Sequence, residues 1–351
     1  MKILIINRWN TSNLGDQAIG YAMESLCKKY GDIEHVDLCT LHSKRIIVTK
    51  PLVDNNVNVS HKASFVSKIL KLAHLSWLDY MWYHKNRRLF ECLQKTQFDY
   101  VFIGGGELIG PGAFSVALKY WGRQICKWQP NAKVIFWSVG VASNCTSRDV
   151  NNMRSILEHS KAIYVRDGKS QANLEQKWGL HSIEIPDVVF SQSTMTTEQR
   201  LRHGILYGIT SFSRLQKHQT LYLSSEQEYF EYSLQQIISM NSDSVKLFYT
   251  TQDDLYACQR FQNYCDNRGY NIEIASYDNL QGLKEEIVRA ETLCSPRMHA
   301  CILGLLAGTK VIPVLISPKM ESFNNKYMSP IYDNNSNRNI LENIFSNVIN
   351  S

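Results

Sequence analysis

Tyr100-Val101-Phe102-Ile103-Gly104-Gly105-Gly106-Glu107 runs from four apolar residues directly into three glycines and a carboxylate. The apolar quartet reads as a strand. Glycines at its carboxyl end let backbone come close to a ligand, and their N–H groups can point at an anion or a sugar oxygen. Packing alone does not call for three of them; a tight strand-to-helix turn is the plain alternative. On the ligand reading, Glu107 becomes a polar contact in a cleft.

Outward from this stretch, short apolar runs alternate with longer segments of helical period. Toward the N-terminus, residues 2–7 and 35–41 read as strands. Between them, 16–30 reads as a helix with Ile19, Ala22, Met23 and Leu26 on one stripe. Toward the C-terminus, strands at 133–139, 162–165 and 183–186 follow helices at 116–128, 148–159 and 170–178. Residues 191–202 turn polar and read as a linker. Beyond it, strands at 204–210, 245–250, 272–276 and 311–316 alternate with helices at 226–240, 255–267, 280–290 and 299–307. An Asn- and Ser-rich tail from Asp333 ends in a short apolar helix at 340–349. Such alternation predicts parallel sheets wrapped by helices. The fold class is therefore α/β, with two Rossmann-like domains at 1–195 and 196–325 and a C-terminal tail at 326–351. They face a central cleft, with ligands at the carboxyl ends of the strands.

Two segments stand outside this pattern. Residues 42–60 show no clear period and read as a loop. Residues 64–97 read as one or two helices carrying Trp77, Tyr80, Trp82, Tyr83 and Phe90. The basic stretch His84-Lys85-Asn86-Arg87-Arg88 within them reads as a solvated helix face, with a membrane-facing patch as the alternative.

Composition narrows the function classes. The chain has 351 residues, with 38 Lys and Arg against 32 Asp and Glu, a net charge of +6. With 44% hydrophobic and 20% charged residues it can build full cores. The mild positive excess suits an anionic substrate or an acidic membrane surface and does not argue for nucleic acid. Nine scattered cysteines include no Cys-x-x-Cys pair, which disfavours a zinc ribbon and predicts reduced thiols packed as small apolar residues. The apolar N-terminal run is too short for a signal peptide, and no run approaches the about 18 apolar residues of a membrane span. A cytoplasmic protein is expected, at most peripheral to the inner membrane face.

Other strand ends carry chemistry. Asn13-Leu14-Gly15-Asp16 follows the first strand and opens a helix, a ready anion site or simply a capped turn. It matches neither Gly-x-Gly-x-x-Gly nor a P-loop. Arg166-Asp167 places a guanidinium fork at the cleft mouth, suited to carboxylate or phosphate; an Arg–Asp structural pair is the alternative. Pro186-Asp187 ends the next strand, and Asp187 is most simply a cap. In Ser295-Pro296-Arg297-Met298-His299, a histidine opens a helix. The positive end of the helix dipole disfavours its imidazolium, and a bound anion favours it again. That makes a proton donor whose state depends on substrate; a satisfied buried histidine is the alternative. Lys319, after the last strand, is either one more cleft cation or a surface lysine.

Read together and in order, these stretches resemble the polysaccharide pyruvyl transferase family over roughly residues 1–325. The resemblance implies a fold similar to two-domain GT-B glycosyltransferases. The implied activity moves pyruvate from phosphoenolpyruvate onto a sugar as a cyclic ketal, releasing phosphate, as in exopolysaccharide or capsule synthesis. It implies His299 as general acid, and Arg166, Arg297, Met298 and Lys319 as phosphoenolpyruvate-binding. Asn13, Gly15, Asp16, Gly104, Gly105, Gly106 and Glu107 are assigned to the acceptor or cleft. No cofactor and no metal are expected beyond the donor substrate. The expected acceptor is a glycan, such as one linked to polyprenyl pyrophosphate, with acceptor contacts from 42–97. A GT-B glycosyltransferase using a nucleotide sugar is the alternative, and a non-catalytic glycan-binding protein a third reading.

Overall fold

A computed structural model describes residues 1–39, 77–195, 202–218, 222–242, 244–328 and 334–351. Its first half contains β1 (Lys2–Asn7), α1 (Leu14–Cys27), β2 (Asp32–Asp37), α2 (Trp77–Leu93), β3 (Tyr100–Ile109), α3 (Ala113–Trp128), β4 (Lys133–Val141), α4 (Ser147–His159), β5 (Ala162–Val165), α5 (Gly168–Trp178), β6 (Ile183–Glu184) and a 3-10 turn (Val188–Ser191). The second contains β7 (Ile205–Gly208), α6 (Phe212–His218), α7 (Glu226–Ser239), β8 (Val245–Phe248), α8 (Gln252–Asp266), β9 (Glu273–Ile274), α9 (Leu280–Arg289), β10 (Thr292–Ser295), α10 (Met298–Ala307), β11 (Lys310–Pro313) and α11 (Pro318–Tyr327), with α12 (Asn334–Asn350) closing the chain.

Among the described residues every strand pairing is parallel. The first sheet runs β2-β1-β3-β4-β5-β6 and the second β11-β10-β7-β8-β9. The strand order reverses between β1 and β3 in one sheet and between β7 and β10 in the other. Such reversals open a crevice at the carboxyl ends, because consecutive connections leave to opposite faces there.

The pleat sorts the first sheet's side chains. Ile3, Ile5, Phe102, Ile135 and Trp137 face α1 and α12, in a core continuous with that of the second half. Leu4, Ile6, Val101, Ile103, Val134 and Phe136 face α2, α3 and α4 in a separate core. Residues alternate faces with period two, and helices cover both.

Several elements differ from expectation. The glycine-bearing strand does not stop at Ile103; it pairs with β4 through Gly104 and Gly106 to Ile109. Strand β10 and helices α6 and α11 were not foreseen, because short runs such as Thr292–Ser295 carry no periodicity. Helix α12 is longer than 340–349 and docks on the first half. Phe345 stacks on Phe102 at 4.8 Å, and the Tyr100 hydroxyl donates to the Val348 and Ile349 carbonyls at 3.2 and 2.9 Å. The 42–60 loop and the beginning of the 64–97 segment lie outside the described residues. Of the basic stretch, His84, Arg87 and Arg88 are exposed and Asn86 is buried. All nine cysteines are free and six are buried; burial pushes the Cys258 and Cys294 thiols up to about 12. Among the described residues no helix is long and apolar enough to cross a membrane.

Candidate active site

The two halves meet at the carboxyl ends of their sheets. Leu14 N–H at the start of α1 donates to the Thr250 carbonyl after β8 at 2.9 Å. Gln192 donates to the Ala18 carbonyl at 3.1 Å and accepts from Lys284 of α9 at 2.6 Å. His299 enters this junction in the first turn of α10. Ser295 Oγ accepts from Arg297 N–H at 3.0 Å, which holds the Ser-Pro-Arg bend that starts the helix. The imidazole rests on Gly15 of α1: a Cβ added there would lie 2.8 Å from Nδ1.

The other ring nitrogen faces a buried carboxylate. Asp187 Oδ2 lies 3.5 Å from His299 Nε2 and 4.0 Å from Arg166 Nη1. Oδ1 accepts from Val189 N–H at 3.1 Å, capping the 3-10 turn, so Asp187 is the expected cap and also a site residue. Oδ2, Nε2 and Nη1 are all buried and none has a formed hydrogen bond. Burial pushes the Asp187 carboxyl up, but His299 and the Arg166 cation outweigh that and hold it at about 2. An ionised carboxylate thus lies between a guanidinium and an imidazole.

Arg166 follows β5 and is 4% exposed, with Asp167 Oδ2 at 3.3 Å from Nε and Glu107 Oε2 at 3.5 Å from Nη2. Gly140 of β4 makes room for it; a Cβ there would lie 2.7 Å from Nη2. Asp167 also caps α5 by accepting from Ser170 N–H at 2.7 Å. Lys319 opens α11 behind the cap Ser317. Lys319 is itself exposed. Desolvation by the surrounding protein and the nearby Arg166 cation lower its ammonium to about 8, against the pull of Glu107, Asp187 and Asp16. Asp16, in the first turn of α1, is raised by burial and pulled back by His299, Arg8 and Lys319.

His299, Arg166, Lys319, Asp16 and Glu107 therefore gather in one cleft, with Asn13 and Gly15 at its edge. Asn13 Oδ1 accepts from Gly15 N–H at 2.9 Å. Two groups of expected site residues sit differently. Arg297, expected on the donor, is committed to Asp254: Nε donates to Oδ2 at 3.0 Å and Nη2 to Oδ1, with Thr210 Oγ1 also 3.2 Å from Nη2. The fork that suits a substrate carboxylate suits a protein carboxylate equally well. Met298, the first residue of α10, packs against the apolar core. Gly104, Gly105 and Gly106 are buried; packing explains Gly104 and Gly105, and backbone conformation explains Gly106. A Cβ at Gly105 would lie 2.0 Å from Ile19 Cγ2 of α1, and one at Gly104 would lie 2.5 Å from the Trp137 carbonyl. Gly105 and Gly106 also hold φ of 72° and 77°, where a side chain is strained. The expectation that packing alone could not require these glycines is corrected.

Sequence reasoning passed over Asp254, Thr210, Gly140 and Ser138, and saw Asp187 only as a cap. Asp254 looks like any acidic residue in a helix's first turn. For Ser138 the signal is conformational: φ is 52°, and its hydroxyl donates to the Pro186 carbonyl at 3.1 Å and accepts from Val188 N–H at 2.9 Å. Among the described residues no three His, Cys, Asp or Glu side chains gather as a metal site.

Comparison with solved structures places the fold. UDP-GlcNAc 2-epimerase from Neisseria meningitidis, bound to UDP-GlcNAc, superposes with a TM-score of 0.55 over 99% of each chain at 12% identity. UDP-GlcNAc 2-epimerase from Methanocaldococcus jannaschii gives 0.54 over 100% of each chain at 11% identity. At these identities the likeness is one of fold, and the fold is GT-B-like. No curated protein matches the sequence. The polysaccharide pyruvyl transferase family does match, over residues 13–318, which run from the cap of α1 to the start of α11 and enclose the cleft residues described above except Lys319, the residue after the match. The chain therefore belongs to the polysaccharide pyruvyl transferase family.

Proposed function

We propose that the protein transfers pyruvate from phosphoenolpyruvate to a sugar of a polysaccharide or its lipid-linked precursor, forming a cyclic ketal and releasing phosphate. The observation that carries this reading is the placement of His299. It stands at the junction of the halves, with the Arg166 and Lys319 cations in the same cleft and an ionised carboxylate behind it. A donor with a carboxylate and a phosphate needs two or more cations, and Arg166 and Lys319 supply them.

His299 protonates the methylene carbon of the donor, making the central carbon electrophilic. A sugar hydroxyl adds there, phosphate leaves, and a second hydroxyl closes the ketal. Of the two hydroxyl protons, one restores His299 and the other leaves with phosphate. Asp16, whose burial raises its affinity for a proton, is suited to accept from the attacking hydroxyl and hand that proton to the departing phosphate. Arg297, tied to Asp254, anchors the bend that presents His299.

The test is a donor screen. The protein is incubated with phosphoenolpyruvate and a panel of synthetic and polyprenyl-pyrophosphate-linked sugars, and inorganic phosphate is measured. Phosphate should appear only with the right acceptor. His299→Ala should abolish it while calorimetry shows phosphoenolpyruvate still bound. Normal turnover by that variant would defeat the assignment. Sugar transfer from a nucleotide sugar in a parallel arm would replace it with a glycosyltransferase.

A further inference from the structure

We infer that Asp187 is the positioning residue of His299, a carboxylate held by one half of the molecule that orients the acid carried by the other. The inference rests on the proposed function. It assigns Nε2 to the carboxylate and Nδ1, the nitrogen over Gly15, to the donor.

Four observations carry it. Asp187 Oδ2 and His299 Nε2 are 3.5 Å apart, both buried, and neither has a formed hydrogen bond. Contacts of this length in ligand-free enzymes shorten when substrate closes the site. Second, Asp187 is fixed on both sides. Ser138 Oγ bonds Pro186 before it and Val188 after it, and Oδ1 is taken by Val189 N–H. Oδ2 is thereby left facing the imidazole. Third, Arg166 Nη1 at 4.0 Å keeps the carboxylate ionised without occupying Oδ2 at hydrogen-bond distance. Fourth, Gly15 presents no side chain to Nδ1, and a Cβ there would crowd the ring at 2.8 Å. The hydrogen bond made by one ring nitrogen decides which proton the other carries.

Asp187 follows β6 of the first sheet and His299 follows β10 of the second. The acid is therefore oriented only while the halves are docked. The other charges around the ring are Asp16 from α1, Lys319 from α11 and Arg166 after β5. Asp187 does not accept the transferred proton and stays ionised.

The experiment compares the parent protein with Asp187→Asn, His299→Gln and the double variant. In histidine-¹⁵N-labelled, donor-free protein, the neutral His299 ring should carry its proton on Nε2. In Asp187→Asn it should become a tautomer mixture. An unchanged tautomer would overturn the inference, whatever the donor proves to be. In turnover with phosphoenolpyruvate and an acceptor, Asp187→Asn should lower kcat by about 10²-fold, the scale of a proton-transfer contribution, with a small change in KM. In the His299→Gln background it should lower the residual rate no further; additive losses would make Asp187 merely structural. If Asp187→Asn fails to fold, Ser138→Ala, which frees the loop around Asp187, should produce the same tautomer mixture, and a parent-like spectrum there would count against the inference. Silence of the parent protein toward phosphoenolpyruvate would sink the proposed function and leave the spectroscopic result standing.

Discussion

The Nδ1 atom of His299 lies over the α-carbon of Gly15, so close that a methyl group there would sit 2.8 Å from it. The glycine belongs to α1 of the first half and the histidine to α10 of the second. Gly15→Ala should therefore act on the imidazole and leave the fold intact. The ring must turn away, and a displacement of the order of 1 Å at a reacting group can cost about 10²-fold in rate. Alanine itself favours the helix by up to about 1 kcal/mol. The expected result is a kcat lowered by tenfold to a hundredfold, on the order of that displacement, with an unfolding midpoint equal to the parent's. Parent-like kcat would show that the ring does not work from this position.

Arg166 and Arg297 should separate when replaced by Met. Arg166 stands in the cleft among Glu107, Asp167 and Asp187, and its loss should weaken phosphoenolpyruvate binding by about 2–5 kcal/mol, besides the stability cost of leaving the buried Asp187 carboxylate without its cation. Arg297 is bound to Asp254, whose side chain is 1% exposed, so its removal strands a buried charge. Arg297→Met should then destabilise the second half by about 3–5 kcal/mol. Calorimetry and urea unfolding on both variants check this. A stable Arg297→Met with strongly reduced affinity would return Arg297 to the donor site.

Donor affinity should fall as pH rises through about 8. The Lys319 ammonium is lowered to that value, so it is charged below and neutral above. The donor's phosphate is already fully ionised above pH 7, its second pKa being about 6, and adds no slope there. Calorimetry between pH 7 and 9.5 should show roughly a tenfold loss, the scale of one charge-assisted hydrogen bond. Lys319→Met should flatten the profile at the weaker level. A slope that survives in Lys319→Met would assign it to another group.

Helix α12 should prove part of the first half. Phe345 is fully buried against Phe102 at 4.8 Å, Trp137 at 5.0 Å and Tyr30 at 5.3 Å between ring centroids. Phe345→Ala should cost about 3–5 kcal/mol of stability, the range for deleting a buried aromatic side chain. Urea unfolding followed by Trp fluorescence reports it, since Trp137 is a direct neighbour. A variant of undiminished stability would mean that the helix is not docked there.

The strand–helix alternation, the parallel sheets, the strand ends bearing Asn13–Asp16 and Arg166, and the polar residues Glu107, His299 and Lys319 were legible in the chain itself. Apolar period and glycine punctuation are local properties, and local properties survive in a one-dimensional string. Short β10 was not legible, because four residues are too few to show a period.

Partner choice was settled only by folding. A guanidinium carries the same fork whether it meets a substrate or Asp254, and nothing near Arg297 in sequence announces a carboxylate 43 residues away. The glycines of β3 looked like a ligand turn until α1 was laid across them. Asp187 looked like a cap until a histidine from the other half arrived beside it. Composition and periodicity determine which elements form and where their polar ends collect. Which charge meets which depends on two sheets being docked with their carboxyl ends together, and that is a property of the tertiary structure alone.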